Sequence, residues 1–154
     1  MIAEVRPTED GDAEVIAADL RAADVDELWA SNRTTGAECM AYGRRYSGET
    51  WTGTFDGVPV CMFGAVPASL LGGVGVPWMV GTTALNRMRG QKALLRASRA
   101  TIAGLSSRYS VLANLVDARN GAAIRWLRWL GFDVLPPIPH GPDRLPFHPF
   151  ILRG

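Results

Sequence analysis

Thirty consecutive residues, Gly57 to Asn86, contain no Asp, Glu, Lys, Arg or His. An uncharged run of that length either crosses a membrane as one helix, which takes ~20 apolar residues, or lies buried in a sheet. Its punctuation decides between the two. Six glycines (Gly57, Gly64, Gly72, Gly73, Gly75, Gly81) and three prolines (Pro59, Pro67, Pro77) interrupt it. An interior proline costs a helix ~3 kcal/mol and a glycine ~1 kcal/mol, so no spanning helix survives. The aliphatic pieces left between the breaks have the length of buried strands. The run is therefore read as the dry centre of a β-sheet. The whole chain has 154 residues, 47% of them hydrophobic and 20% charged, with a net charge of +1. That composition excludes disorder and suits one domain spanning 1–154. The opening MIAEVRPTEDGD is acidic and lacks a long apolar core, so no signal peptide is expected.

The flanks of the run differ in sign. Residues 1–56 carry 5 basic and 12 acidic groups, residues 87–154 carry 11 basic and 3 acidic groups. Either the two halves neutralise one another, or the basic half meets a phosphate-bearing ligand, nucleic acid or an acidic partner. No stacking aromatics are interleaved with the arginines in a recognisable module, which argues against nucleic acid. Cys39 and Cys61 stand alone, without CxxC or Cys/His spacing, and read as buried thiols in a reducing compartment. His140 and His148 are too few for a zinc cage, so no metal site is expected.

Alternation over Ile2–Arg6, stopped by Pro7, predicts a first strand. Acids after Thr8 open a helix carrying Val15, Ile16 and Leu20; a second follows Asp24, and Thr35–Tyr46 is a third helical piece. Glu49–Phe55 and Val58–Val66 form a hairpin about Asp56-Gly57, and Val74–Val80 is a further strand after a glycine-rich connection. Arg87–Leu105 is an amphipathic helix and Val111–Asp117 a strand apolar on both faces. Asn120 caps a helix over Gly121–Leu130 that ends at Gly131. Phe132–Leu135 starts a strand, and Leu145–Leu152 is the last, confined to an edge by Pro146 and Pro149. The order β-α-α-β-β-β-α-β-α-β-β is that of an α/β domain with a mixed sheet.

This order, together with the segment NGAAIRWLRWLGF from Asn120 to Phe132, resembles the GNAT superfamily of acyl-CoA N-acetyltransferases. The family's late motif runs Asn, two residues, Ala, three residues, Tyr, three residues, Gly-Phe; Asn120, Ala123, Gly131 and Phe132 match it. A narrower likeness, carried by GVGVPWMVGTTAL, LLRASR, VDARNGAAIRWLRWLGF and PHGPDRLPFH, is to small GNAT-like proteins of tailed bacteriophages and prophages. Some of these are internal virion proteins of short-tailed phages. The resemblance implies a GNAT-like fold and an N-acetyltransferase that moves an acetyl group from acetyl-CoA to an unknown amine. The alternative it implies is a non-catalytic phage protein acting in virion assembly or host takeover through contacts with virion or host proteins. The implied location is a host cytoplasm or the virion.

The resemblance also assigns residues. The diphosphate of acetyl-CoA would rest on Arg87, Arg89, Gly90, Gln91 and Lys92 at a helix start, with Lys92 standing where the family keeps a small residue. Trp78, Met79 and Val80 would pair with the pantetheine arm, and Asn120 would lie near it, although capping alone accounts for that Asn. The family's thiolate-protonating tyrosine is here Leu127, which has no proton to give. The indoles of Trp126 and Trp129 do not replace it and read as core or interface anchors. Glu49, Tyr109, Asp117 and His140 remain as titratable catalytic candidates. The proline-rich tail from Leu135 either covers an edge or walls the acceptor site.

Overall fold

The computed structural model describes residues 1–69 and 71–154. Leu70, in the glycine-rich connection, lies outside the described residues. The elements are β1 (Ala3–Pro7), α1 (Asp12–Ala17), α2 (Ala22–Asn32), α3 (Gly36–Tyr46), β2 (Thr50–Phe55), β3 (Val58–Pro67), β4 (Val74–Gly81), α4 (Met88–Arg108), β5 (Val111–Asp117), α5 (Gly121–Trp129), β6 (Asp133–Val134), β7 (Ile138–His140) and β8 (Leu145–Arg153), with a 3-10 turn at Thr83–Asn86. The mixed α/β architecture is the one expected. A full third helix precedes β2, and a short β7 has been added before the last strand.

The sheet runs β1-β2-β3-β4-β5-β8-β6, with β7 also on β8. All neighbours are antiparallel except β4 and β5. Helices cover both faces. Leu94, Leu95 and Leu105 of α4 and Trp126 of α5 pack on one side. Ile16 of α1, Met40 of α3 and, at its edge, Leu28 of α2 pack on the other with Met62 and Val80. Within the uncharged run, β3 and β4 lie side by side at the centre of the sheet. The β2–β3 turn has φ 49° at Asp56 and 81° at Gly57, the paired positive values of a tight hairpin turn.

The last strand departs from expectation. β8 is interior, pairing with β5 from Val111↔Arg153 to Asp117↔Phe147 and with β6 and β7 on its other side. Its prolines are tolerated because each missing N–H faces a gap. In an extended strand a residue's N–H and C=O point to the same side. The Pro146 carbonyl accepts from Ala118 N–H, just past the end of β5, and the Pro149 carbonyl accepts from Leu135 N–H, in the break between β6 and β7. The rule against interior prolines holds bond by bond, not strand by strand.

The turn between β7 and β8 presses on α2. Gly141 has φ 80°, and a Cβ there would stand 1.9 Å from the Ala30 carbonyl oxygen. Both the left-handed backbone and the contact require glycine. Gly141→Ala is expected to cost at least ~2 kcal/mol and to lower Tm by roughly 4–8 °C. A thermal melt unchanged from wild type would show that the turn does not seat on α2.

Candidate functional site

β4 and β5 pair over only Val74↔Val111 and Gly75↔Leu112, then diverge. The wedge between them opens a cavity of about 720 Å³ that passes through the sheet. Leu94, Leu105 and Trp126 line it on the α4–α5 side, and Asp24, Glu27, Cys39 and Tyr42 on the α2–α3 side. A volume of this size suits an extended small-molecule ligand.

The backbone at the edge of the wedge is only partly satisfied. Val74 takes its bond from the β3 side, accepting from Ala68 N–H, whereas the Pro77 carbonyl accepts from Asn114 Nδ2 at 2.7 Å across the opening. The β3–β4 register is unbroken, so odd-numbered residues of β4 face the opening. Pro77 has no N–H to offer there, and Met79 directs both its N–H and C=O into the cavity. Asn114 spans the gap near its apex. Its Oδ1 accepts from Leu115 N–H at 2.8 Å while its Nδ2 donates to Pro77, so one side-chain amide does the work of a peptide unit between two strands.

The wide end is closed by a polar network from α2. Asp24 Oδ2 accepts from Gly81 N–H at 2.9 Å, and Glu27 Oε1 accepts from Asp117 N–H at 2.9 Å. Asn120 ties the two together: its Nδ2 donates to Asp24 Oδ1 at 3.2 Å and to Glu27 Oε1 at 3.3 Å. Its Oδ1 accepts from Ala123 N–H at 3.3 Å, capping α5, and from Arg21 at 3.4 Å. Arg21 is 5% exposed and its Nε has no partner among the described residues. Burial, with Asp24 and Asp117 nearby, pushes the Glu27 carboxyl up to about 7, against the bonds from Asp117 and Asn120. Burial also raises Asp24, against Arg21 and its hydrogen bonds. Burial acts to raise Asp117 as well, but the Arg119 guanidinium at 2.7 Å outweighs it and holds that carboxyl below its ordinary value. Burial lifts the thiols of Cys39 and Cys61 to about 11 and about 12, leaving both protonated at neutral pH.

Of the residues anticipated for cofactor binding, Trp78, Met79 and Asn120 line the cavity. The Trp78 ring lies on Gly43 of α3 and donates to Ser47 Oγ at 2.9 Å. Val80 is fully buried beneath α1 and α3. Arg87, Arg89 and Lys92 are exposed at the start of α4, whose first turn has neither a side-chain cap nor an acid. Gly90 is buried, and a Cβ there would sit tightly, 3.1 Å from both the Ala84 carbonyl oxygen and the Phe55 ring. Gln91 is buried and already engaged, donating to the Leu85 carbonyl and accepting from Arg125. The catalytic candidates are not brought together. Glu49 is in an exposed ion pair with Arg108. Tyr109 packs on Gly75, where β4 and β5 are still joined. Asp117 is bound to Arg119, and His140 bonds Ser31 Oγ at 2.9 Å and meets the edge of Phe147. Leu127 does line the cavity. Arg21, Asp24, Glu27 and Asn114 were not anticipated. The first three recur every third residue along α2, a polar stripe that reads as a solvent face; Asn114 is a lone amide in an apolar strand.

No protein-family model matches the chain, and no curated protein matches it. Solved structures do. The chain has the GNAT fold. It aligns with a GCN5-related N-acetyltransferase from Kribbella flavida at 18% identity and TM-score 0.69, over 99% of this chain and 98% of that one. It aligns with a ribosomal-protein-alanine N-acetyltransferase from Brucella melitensis at 14% identity and TM-score 0.69, over 97% and 99%. A third neighbour, the aminoglycoside acetyltransferase AAC(6')-Ib in complex with coenzyme A and kanamycin, aligns at 18% identity and TM-score 0.64, over 98% and 94%. These likenesses establish the fold.

The Glu27 network carries a stability cost of defined sign. Between its ordinary value of 4.5 and its folded value of about 7, the unfolded chain ionises while the folded one stays protonated, so stability falls as pH rises through that window. Glu27→Gln keeps the oxygen that accepts from Asp117 and Asn120 and removes the part of the slope that Glu27 contributes. It is expected to match wild type near pH 4 and to exceed it by up to about 3 kcal/mol at pH 8, read from denaturant melts at both pH values. Equal stabilities at pH 8 would contradict the assignment.

Proposed function

We propose that the protein is an acetyl-CoA-dependent N-acetyltransferase acting on an amine. The observation that carries this reading is the parting of β4 from β5, which leaves the Met79 backbone facing a cavity open to both layers of helices. A pantetheine arm contains secondary amides and needs an unpaired strand edge; Met79 offers one. The Asn114 carboxamide occupies the place such an amide would take and would swing aside for it. The uncapped first turn of α4, with Arg87, Arg89 and Lys92 exposed around it, suits a diphosphate, because free N–H groups and the helix dipole favour an anion there. The fold neighbours in complex with coenzyme A and acetyl-CoA support the same ligand. Bound there, acetyl-CoA would supply the activated acetyl group, and this chain's residues would orient it and receive the amine from the α2–α3 side.

One observation favours a second reading. Leu127 lines the cavity where the GNAT pattern places its proton-donating tyrosine. The alternative is a non-catalytic phage protein of this fold, acting in virion assembly or host takeover. Coenzyme release with an amine present decides between them.

Calorimetry with acetyl-CoA is expected to show binding well below millimolar ligand. Arg89→Ala and Lys92→Ala are each expected to weaken it by roughly tenfold, the worth of one charge-assisted hydrogen bond to phosphate. No heat at millimolar ligand would overturn the proposal.

A further inference from the structure

Three carboxylates, Asp24, Glu27 and Asp117, gather at the wide end of the wedge, and they differ in what they have left to give. Asp24 has one oxygen on Gly81 N–H and the other on Asn120. Asp117 has both oxygens on Arg119. Glu27 has Oε1 fixed by Asp117 N–H and Asn120, while no protein group among the described residues bonds its Oε2. Glu27 lines the cavity; Asp117 does not. The mouth on that side is lined by Asp24, Glu27 and Glu38 with the aromatic rings of Tyr42 and Trp78, a surface for a cation that carries hydrocarbon.

We infer that Glu27 Oε2 is the base that takes a proton from the acceptor's ammonium group, and that the acceptor class is a cationic alkyl amine entering between α2 and α3. The inference rests on the acetyl-transfer reading above. Glu27 removes one proton and leaves a neutral amine. The amine nitrogen then bonds to the acetyl carbon as the carbon–sulfur bond breaks, and the second proton lost from nitrogen ends on sulfur. The thiol leaves neutral, so no acid is required at Leu127, and Glu27 returns its proton to water. Arg21 and Asn120 position this base without touching the substrate.

Other groups facing Glu27 are placed so that they do not titrate in its stead. Arg119 is raised by its hydrogen bond to Asp117, Asp117 is held below its ordinary value by Arg119, and the Cys39 thiol on α3 is pushed up to about 11. Asp24 is raised by burial but has no free oxygen.

The test is coenzyme release from acetyl-CoA by wild type and Glu27→Gln between pH 5.5 and 9, as roughly the span over which a base poised near neutrality declares itself. The amines are n-butylamine, spermidine, a lysine peptide, and hydroxylamine, which is already neutral at pH 7. Wild type is expected to use an alkyl amine with kcat falling on the acid side of neutrality. Glu27→Gln should lower that kcat by about 10²–10⁴-fold and lose the acid limb, with acetyl-CoA affinity within about threefold of wild type. The hydroxylamine-to-alkylamine rate ratio should rise by about 100-fold, since the neutral amine needs no base. An unchanged limb and ratio would overturn the inference and leave acetyl transfer standing, as would a wild type that uses hydroxylamine but no alkyl amine. A wild type that releases no coenzyme with any of the four would overturn both.

Discussion

The structure turns on the failure of two strands to stay together. β4 and β5 begin as a parallel pair and are released after two residues each. Pro77 stands next in β4 on the side facing β5 and has no N–H for the ladder. Further along, the Gly81 and Asp117 N–H groups that would have continued the pairing are taken by Asp24 and Glu27 of α2. The opening is thus built into the sequence at its apex by an imino acid and at its wide end by two carboxylates. Asn114 bridges the Pro77 carbonyl and the Leu115 N–H with a side chain, and the Met79 backbone between these closures is left facing the cavity.

The same geometry gives meaning to the division of charge. The acidic half supplies α1–α3, on one side of the opening, and the basic half supplies α4 and α5, on the other. The halves do not neutralise one another: among the described residues, only Arg33–Asp143 and Arg108–Glu49 join them as ion pairs. The cavity is acidic at its α2–α3 mouth, where Asp24, Glu27 and Glu38 line it, and that charge suits a cationic acceptor. The burial of Glu27 is costly to the fold at neutral pH, because it disfavours the ionised carboxyl.

Much of this was legible in the sequence. The paired positive φ values at Asp56 and Gly57, the cap at Asn120 and the left-handed Gly131 (φ 94°) are local events, decided by residues within a few positions of one another. The interior place of β8 was not legible, because whether Pro146 and Pro149 interrupt a ladder depends on where β5 ends and where β6 breaks. Nor was Glu27. Arg21, Asp24 and Glu27 share a stripe of α2 that is indistinguishable from a solvated face until that face is laid across the ends of β4 and β5. Residues 87–92 were visible as a basic helix start, but not the fact that Gln91 is already bonded to Leu85 and Arg125.

On the proposed function, the free edge of β4 receives the arm of acetyl-CoA. Amide hydrogen exchange at Met79, followed with and without acetyl-CoA, tests it most directly. Rapid exchange is expected in the free protein and marked protection on addition of the ligand, with the Asn114 side-chain amide signals shifting as the carboxamide leaves Pro77. Binding that leaves Met79 exchanging as before, or a Met79 amide already protected in the free protein, would contradict it.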